Sequence, residues 1–194
     1  MKKIITGSLF LILLVMLAYT LMDGSREKGK GGESGNNGNQ EGTAMESPNA
    51  PEPLKVGSEA PDFELKNKEG ERVKLSDFQG KKIFLNFWAS WCAPCREEMP
   101  ELEKFEQDYG EEVVVLTVNA TGDELQEGDA RDYLATEGFS FRVLFDPQLE
   151  ATNMYNIIAY PTTYFIGTDG TIQLENHRGP MTYAFMKEKM NQLE

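Results

Sequence analysis

The sequence predicts an α/β domain, a mixed sheet flanked by helices with an N-terminal β-hairpin, preceded by a single transmembrane helix. Three observations carry this reading. Residues 4–22 contain no charged side chain; strand-length and helix-length segments alternate between residues 82 and 156; and two alternating runs flank a turn at residues 168–170, the mark of a late antiparallel hairpin.

The apolar run, "IITGSLFLILLVMLAYTLM", follows Lys2 and Lys3. As a helix it would span about 28 Å, close to the roughly 30 Å hydrocarbon core of a bilayer. The paired lysines favour a cytoplasmic N-terminus and place the rest of the chain outside the cytoplasm. A cleaved signal peptide would have a shorter apolar region and a small-x-small cleavage site, so an uncleaved anchor in the cell membrane is the expectation. Residues 1–22 are therefore read as a cytoplasmic stub and single-pass signal-anchor. Residues 23–53, rich in Gly, Asn, Ser and Glu without apolar periodicity, read as a flexible linker with a reach of roughly 30 Å.

Residues 54–194 are long enough to bury one core. Of the formal charge of −13, −12 falls in this part, −3 in the linker and +2 at the N-terminus. An acidic domain is repelled by phosphate backbones, which argues against a nucleic-acid partner.

Within the domain, "DFELK" and "RVKL", joined by "NKEGE", form the hairpin, and Ser76 is expected to cap the turn that follows. "KIFLNFW" at residues 82–88 is a nearly continuous apolar run, the pattern of a strand covered on both faces. From residue 95, "CREEMPELEKFEQDYG" reads as a helix with Met99, Leu102 and Phe105 on one side, a kink at Pro100 and a stop at Gly110. "EVVVLTVNA" is a second buried strand, "ARDYLATEG" a helix, "FRVLFD" a short strand and "QLEATNMYN" a further helix. The hairpin of "TTYFIG" and "TIQLEN" then leads to the amphipathic helix "MTYAFMKEKMNQL", whose Met181, Met186 and Met190 are expected to face the core.

The only two cysteines, Cys92 and Cys95, stand at the junction between the first buried strand and its helix. A structural disulfide across so short a loop would contribute only roughly 2 kcal/mol. Structural zinc lacks its other ligands, since there is no second Cys pair and His177 is the only histidine. Reversible thiol chemistry needs this arrangement. Cys92, at the first helical turn, gains from unpaired N–H groups and the helix dipole, which stabilise a thiolate; Cys95, one turn on, can attack a mixed disulfide formed there. Pro94 restricts the backbone between them.

"FWASWCAPC" and "YPTTYFIG" resemble the two signatures of the thioredoxin superfamily. The resemblance implies a thioredoxin-like fold in which Pro161 is a cis-proline packed opposite the cysteines, although trans is the default for an X-Pro bond. It also implies that Tyr160, Pro161 and Thr162 offer backbone groups to an extended substrate, with Pro94 nearby and Trp91 an exposed edge contacting that substrate. Phe84, Phe87 and Trp88 read as core. Asn86 departs from cytoplasmic thioredoxins, which usually carry aspartate there, and an amide cannot exchange a proton near neutral pH. Glu98, three residues beyond Cys95, is the candidate proton shuttle, while Glu97, Glu101 and Glu103 are expected to be solvated.

Asn86, the CxPC motif, Glu98, the anchor, "GSEAPDFEL" and the stretch between "LTVNA" and "LFDP" together resemble the bacterial ResA/TlpA-like thiol-disulfide oxidoreductases. That likeness implies reduction of disulfides in client proteins such as apocytochrome c, or in a sporulation target, with electrons from a membrane thiol transporter of the CcdA or DsbD kind. No cofactor beyond the Cys92–Cys95 redox couple and no metal is implied. Alternatives are a disulfide oxidase for secreted proteins and a tethered client-binding module without redox turnover. Copper delivery is disfavoured because copper chaperones of this superfamily separate their cysteines by three residues. Peroxidase chemistry lacks its P-x-x-x-T/S-x-x-C pattern, since position 88 is Trp88 rather than proline.

Overall fold

The computed structural model describes residues 51–126 and 128–194. The proposed anchor and all of the proposed linker up to residue 50 lie outside the described residues. Among the described residues no helix is long and apolar enough to cross a membrane.

Seven strands form one mixed sheet in the order β2-β1-β5-β4-β3-β6-β7. β1 (Glu64–Asn67) and β2 (Arg72–Lys74) pair antiparallel at one edge. β3 (Lys82–Trp88), β4 (Val113–Asn119) and β5 (Arg142–Phe145) are mutually parallel at the centre, and β6 (Thr162–Ile166) and β7 (Ile172–Arg178) add antiparallel strands on the other side. Helix α1 (Ala93–Tyr109) follows β3, α2 (Asp129–Glu137) follows β4, the short α3 (Glu150–Met154) follows β5, and α4 (Tyr183–Gln192) closes the domain.

The continuous apolar runs became central strands because both faces of the sheet are covered. Side chains alternate along β3: Phe84 and Trp88 join the core beneath α1 and α4, whereas Ile83, Leu85 and Phe87 join the core on the opposite face with Tyr155 and Tyr164. Phe84 stacks on Phe105 at 5.5 Å between centroids and meets Phe165 edge-on at 5.0 Å. Phe84→Ala is therefore expected to lower unfolding stability by about 3–5 kcal/mol, because the void lies between three elements that cannot all collapse into it. Denaturant unfolding measures this, and a loss below about 1 kcal/mol would contradict the packing described. Met181, Met186 and Met190 are buried in the same core, as expected.

Several local expectations give way. Ser76 does not cap the turn Leu75–Phe78; the Asp77 carboxylate accepts the Lys74 N–H at 2.8 Å, and Ser76 donates its N–H and hydroxyl to Asp62. The "QLEATNMYN" helix shrinks to α3 because Leu149 and Asn156 take left-handed conformations on either side of it. Helix α1 starts at Ala93 rather than at residue 95 and has Pro100 inside it. Helix α4 starts after Met181, with Thr182 as its cap, its hydroxyl oxygen accepting the Phe185 N–H at 3.3 Å. Glu101 and Glu103 are not simply solvated: Glu101 accepts the Tyr183 N–H, and Glu103 accepts the N–H groups of Ser140 and Phe141.

Candidate active site

β3 delivers the chain to the C-terminal edge of the sheet, where Cys92 becomes the N-cap of α1. The Cys95 N–H donates to Cys92 Sγ at 3.2 Å, and Pro94 occupies the first turn, where its missing N–H leaves no donor unsatisfied. Cys92 and Cys95 are joined as a disulfide with Cα atoms 5.3 Å apart. Cys95 is fully buried, whereas Cys92 retains slight exposure. A sulfur held at unpaired helical N–H groups is stabilised as a thiolate, so this geometry favours ionisation of Cys92 once the disulfide opens.

Around Cys92 lies an aromatic rim. Trp91 is 48% exposed, its indole N–H donates to the Asp123 carbonyl at 2.9 Å, and its ring meets that of Tyr160 edge-on at 6.0 Å. The Tyr160 hydroxyl donates to Asp123 Oδ2 at 2.7 Å, and burial together with that acidic neighbour pushes its pKa up. The Tyr160–Pro161 bond is cis, and the Thr162 hydroxyl donates to the Ala159 carbonyl at 2.8 Å. Register places Thr162 opposite Phe87, so residues 160–162 come alongside the end of β3 that leads into the cysteines.

Glu98 lies one turn beyond Cys95 and is 1% exposed. Its Oε1 accepts from Asn86 Nδ2 at 2.8 Å and its Oε2 from the Met181 N–H at 3.0 Å. Burial pushes its pKa from 4.5 to about 7, against the pull of those two hydrogen bonds. A carboxyl group with that proton affinity, so near a thiol, can take up and return a proton at neutral pH.

The structure thus brings Trp91, Cys92, Pro94, Cys95 and Glu98 together on β3–α1, and Tyr160, Pro161 and Thr162 at the entry to β6. Sequence reasoning missed the loop after β4. The Glu124 carboxylate accepts the Ser90 N–H at 2.8 Å, the Ser90 hydroxyl, and Asn119 Nδ2 at 2.6 Å, while Asp123 holds both aromatic side chains of the rim. A signal existed: β3 and β4 are parallel neighbours, so the loops leaving their C-terminal ends share one edge of the sheet. Thr163, register partner of Asn86, was also missed as a site residue. Among the described residues no group of three or more His, Cys, Asp or Glu side chains is placed to hold a metal ion.

The fold and the paired cysteines at the strand-to-helix junction define a thiol-disulfide oxidoreductase of the thioredoxin-like class. The chain belongs to the AhpC/TSA family, whose model matches residues 56–175. It is 41% identical over 138 residues to the thioredoxin-like protein YneN of Bacillus subtilis, a match covering 71% of this chain and 80% of that protein. It is 36% identical over 137 residues to the thiol-disulfide oxidoreductase ResA of Halalkalibacterium halodurans, covering 70% and 76%. Among solved structures it resembles StoA from Bacillus subtilis, with 31% identity, a TM-score of 0.60, and 66% and 96% of the two chains covered. It also resembles the pneumococcal exposed lipoprotein thioredoxin Etrx1 from Streptococcus pneumoniae, with 33% identity, a TM-score of 0.63, and 69% and 100% covered. The enzyme is a thiol-disulfide oxidoreductase of the ResA/StoA type.

Proposed function

We propose that the chain is an extracytoplasmic protein disulfide reductase, held at the cell membrane by residues 1–22 and tethered through residues 23–53. Its clients would be proteins such as apocytochrome c, and its electrons would come from a membrane thiol transporter of the CcdA or DsbD kind. The observation that carries the thiol-disulfide exchange reading is the position of Cys92 as N-cap of α1, one turn from Cys95 and two from a buried Glu98; the reducing direction rests on the resemblance to the ResA/TlpA-like proteins. The description of the similar Etrx1 as an exposed lipoprotein supports a site of action outside the cytoplasm.

In this mechanism the Cys92 thiolate attacks a client disulfide docked along residues 160–162 beside the Trp91 edge. A mixed disulfide forms and one client thiolate leaves. Cys95 passes its proton to the Glu98 carboxylate and attacks Cys92 Sγ, which expels the second client thiolate and closes the Cys92–Cys95 disulfide. Two electrons have moved from the enzyme to the client; Glu98 returns its proton to a departing thiolate, and the membrane donor restores both thiols. Asp123, by holding Trp91 and Tyr160, keeps the rim shaped for the client.

The reduction potential of the Cys92/Cys95 couple, equilibrated against defined thiol buffers, tests the direction of flow. A value near about −270 mV, like that of thioredoxin, is expected of a reductant; one approaching about −120 mV would identify an oxidase on the same scaffold.

A further inference from the structure

Asn86 lies between Phe84 and Trp88 on one face of β3, and none of it reaches solvent. Its amide nitrogen donates to Glu98 Oε1 at 2.8 Å and to Thr163 Oγ1 at 3.0 Å. Its amide oxygen is buried and has no hydrogen-bond partner among the described residues. A buried acceptor left unpaired is costly, and here it stands beside the group that is to carry a proton.

The partners of Glu98 explain what the amide is for. Both carboxyl oxygens are met by donors alone, the Asn86 amide on one and the Met181 N–H on the other. Donors suit a carboxylate. A protonated Glu98 has an O–H of its own and, with these partners fixed, nothing to donate it to. Rotation of the Asn86 amide about its Cβ–Cγ bond removes the conflict. The carbonyl then occupies the place of the NH2 group, 2.8 Å from Glu98 and 3.0 Å from the Thr163 hydroxyl, and each of those groups can donate to it. At the outer end no donor among the described residues engages the amide oxygen, so no hydrogen bond there favours the orientation that serves the charged carboxylate.

The other groups around Glu98 leave this role to Asn86. On α1, Cys95 lies one turn before it and Glu101 one turn after, and Glu101 is taken up by the Tyr183 N–H. From α4, the Tyr183 hydroxyl donates to Asp108. From β6 comes Thr163, and its register partner on β7 is His177, whose ring packs on Phe185.

We propose that Asn86 is a positioning residue whose amide turns end for end with the proton on Glu98, presenting N–H to the carboxylate and C=O to the acid. Glu98 then has a partner in both proton states inside a dry site, and the unpaired end of the amide is kept on the side away from the carboxyl. This rests on the reading of Glu98 as the proton carrier.

The test is nuclear magnetic resonance on the full, oxidised chain in detergent micelles, labelled at asparagine and glutamate. At pH 9 the Asn86 side-chain N–H signals should show cross-relaxation to Thr163; at pH 5 that cross-relaxation should be lost, with a midpoint tracking the Glu98 carboxyl carbon. Cross-relaxation that persists unchanged at pH 5 overturns the turning amide. Thiol titration of the reduced Glu98→Gln chain separates the two ideas. An unchanged titration there removes Glu98 as proton carrier, and the role of Asn86 with it. An altered titration combined with a static Asn86 amide defeats the amide proposal alone.

Discussion

Cys92→Ser is expected to lose at least about a thousandfold of protein disulfide reduction while keeping the fold, in line with the cost of removing an attacking nucleophile. Serine is among the preferred N-cap residues, so its hydroxyl oxygen can take over the Cys95 N–H that Cys92 Sγ accepts. The helix start is preserved and only the nucleophile is removed. Cys95→Ser should behave differently: Cys92 can still attack, but the mixed disulfide with the client has no internal resolving thiol and accumulates. Reduction of a protein disulfide, followed alongside trapping of the client on a non-reducing gel, checks both. Turnover retained in Cys92→Ser would mean that another group attacks. Client maturation that survives replacement of both cysteines by alanine would leave only a binding role.

Glu98→Gln should uncouple the chemistry from pH and, unusually for an active-site change, stabilise the protein in alkali. Burial raises the folded-state pKa of Glu98 to about 7 from the 4.5 of a free glutamate side chain, so the folded protein holds this proton more tightly than the unfolded chain does. The stability associated with that proton is fully present below about pH 4.5 and is lost as pH rises through about 7, a cost of roughly 3 kcal/mol once Glu98 is charged in both states. Glutamine carries no such cost. The oxidised variant should therefore match the unaltered protein near pH 4 and exceed it by as much as about 3 kcal/mol near pH 8, measured by denaturant unfolding. Resolution by Cys95 should slow by about a hundredfold, the lower range for losing a positioned acid-base group. Equal stabilities at pH 8 would show that burial does not hold the proton on Glu98.

These expectations draw on two kinds of information. The central strands could be read from "KIFLNFW" and "EVVVLTVNA" because a strand covered on both faces leaves a continuous apolar run. Cys92 as a helix start could be read because capping depends on neighbours three residues apart, and the final hairpin because its turn is written in 168–170. The burial of Glu98 could not be read that way. Helical spacing put it one turn from Cys95, but its desolvation depends on Asn86 from another strand and on Met181, 83 residues further along the chain. Glu101 and Glu103 lie on the same helix as Glu98 and read as solvated from the sequence, yet each accepts from a backbone donor brought in by another segment.

The loop after β4 makes the same point from the other side. Asp123 and Glu124 look like ordinary turn acids until parallel pairing of β3 and β4 carries them to Trp91, Ser90 and Tyr160. By itself the sequence determined the elements, the reactive pair and the family resemblance, because these follow from short-range periodicity, capping and local motif. Only the tertiary structure decided which polar groups share a dry site, because strand register and helix packing bring together residues remote in the chain and remove the water that would otherwise keep Glu98 an ordinary carboxylate.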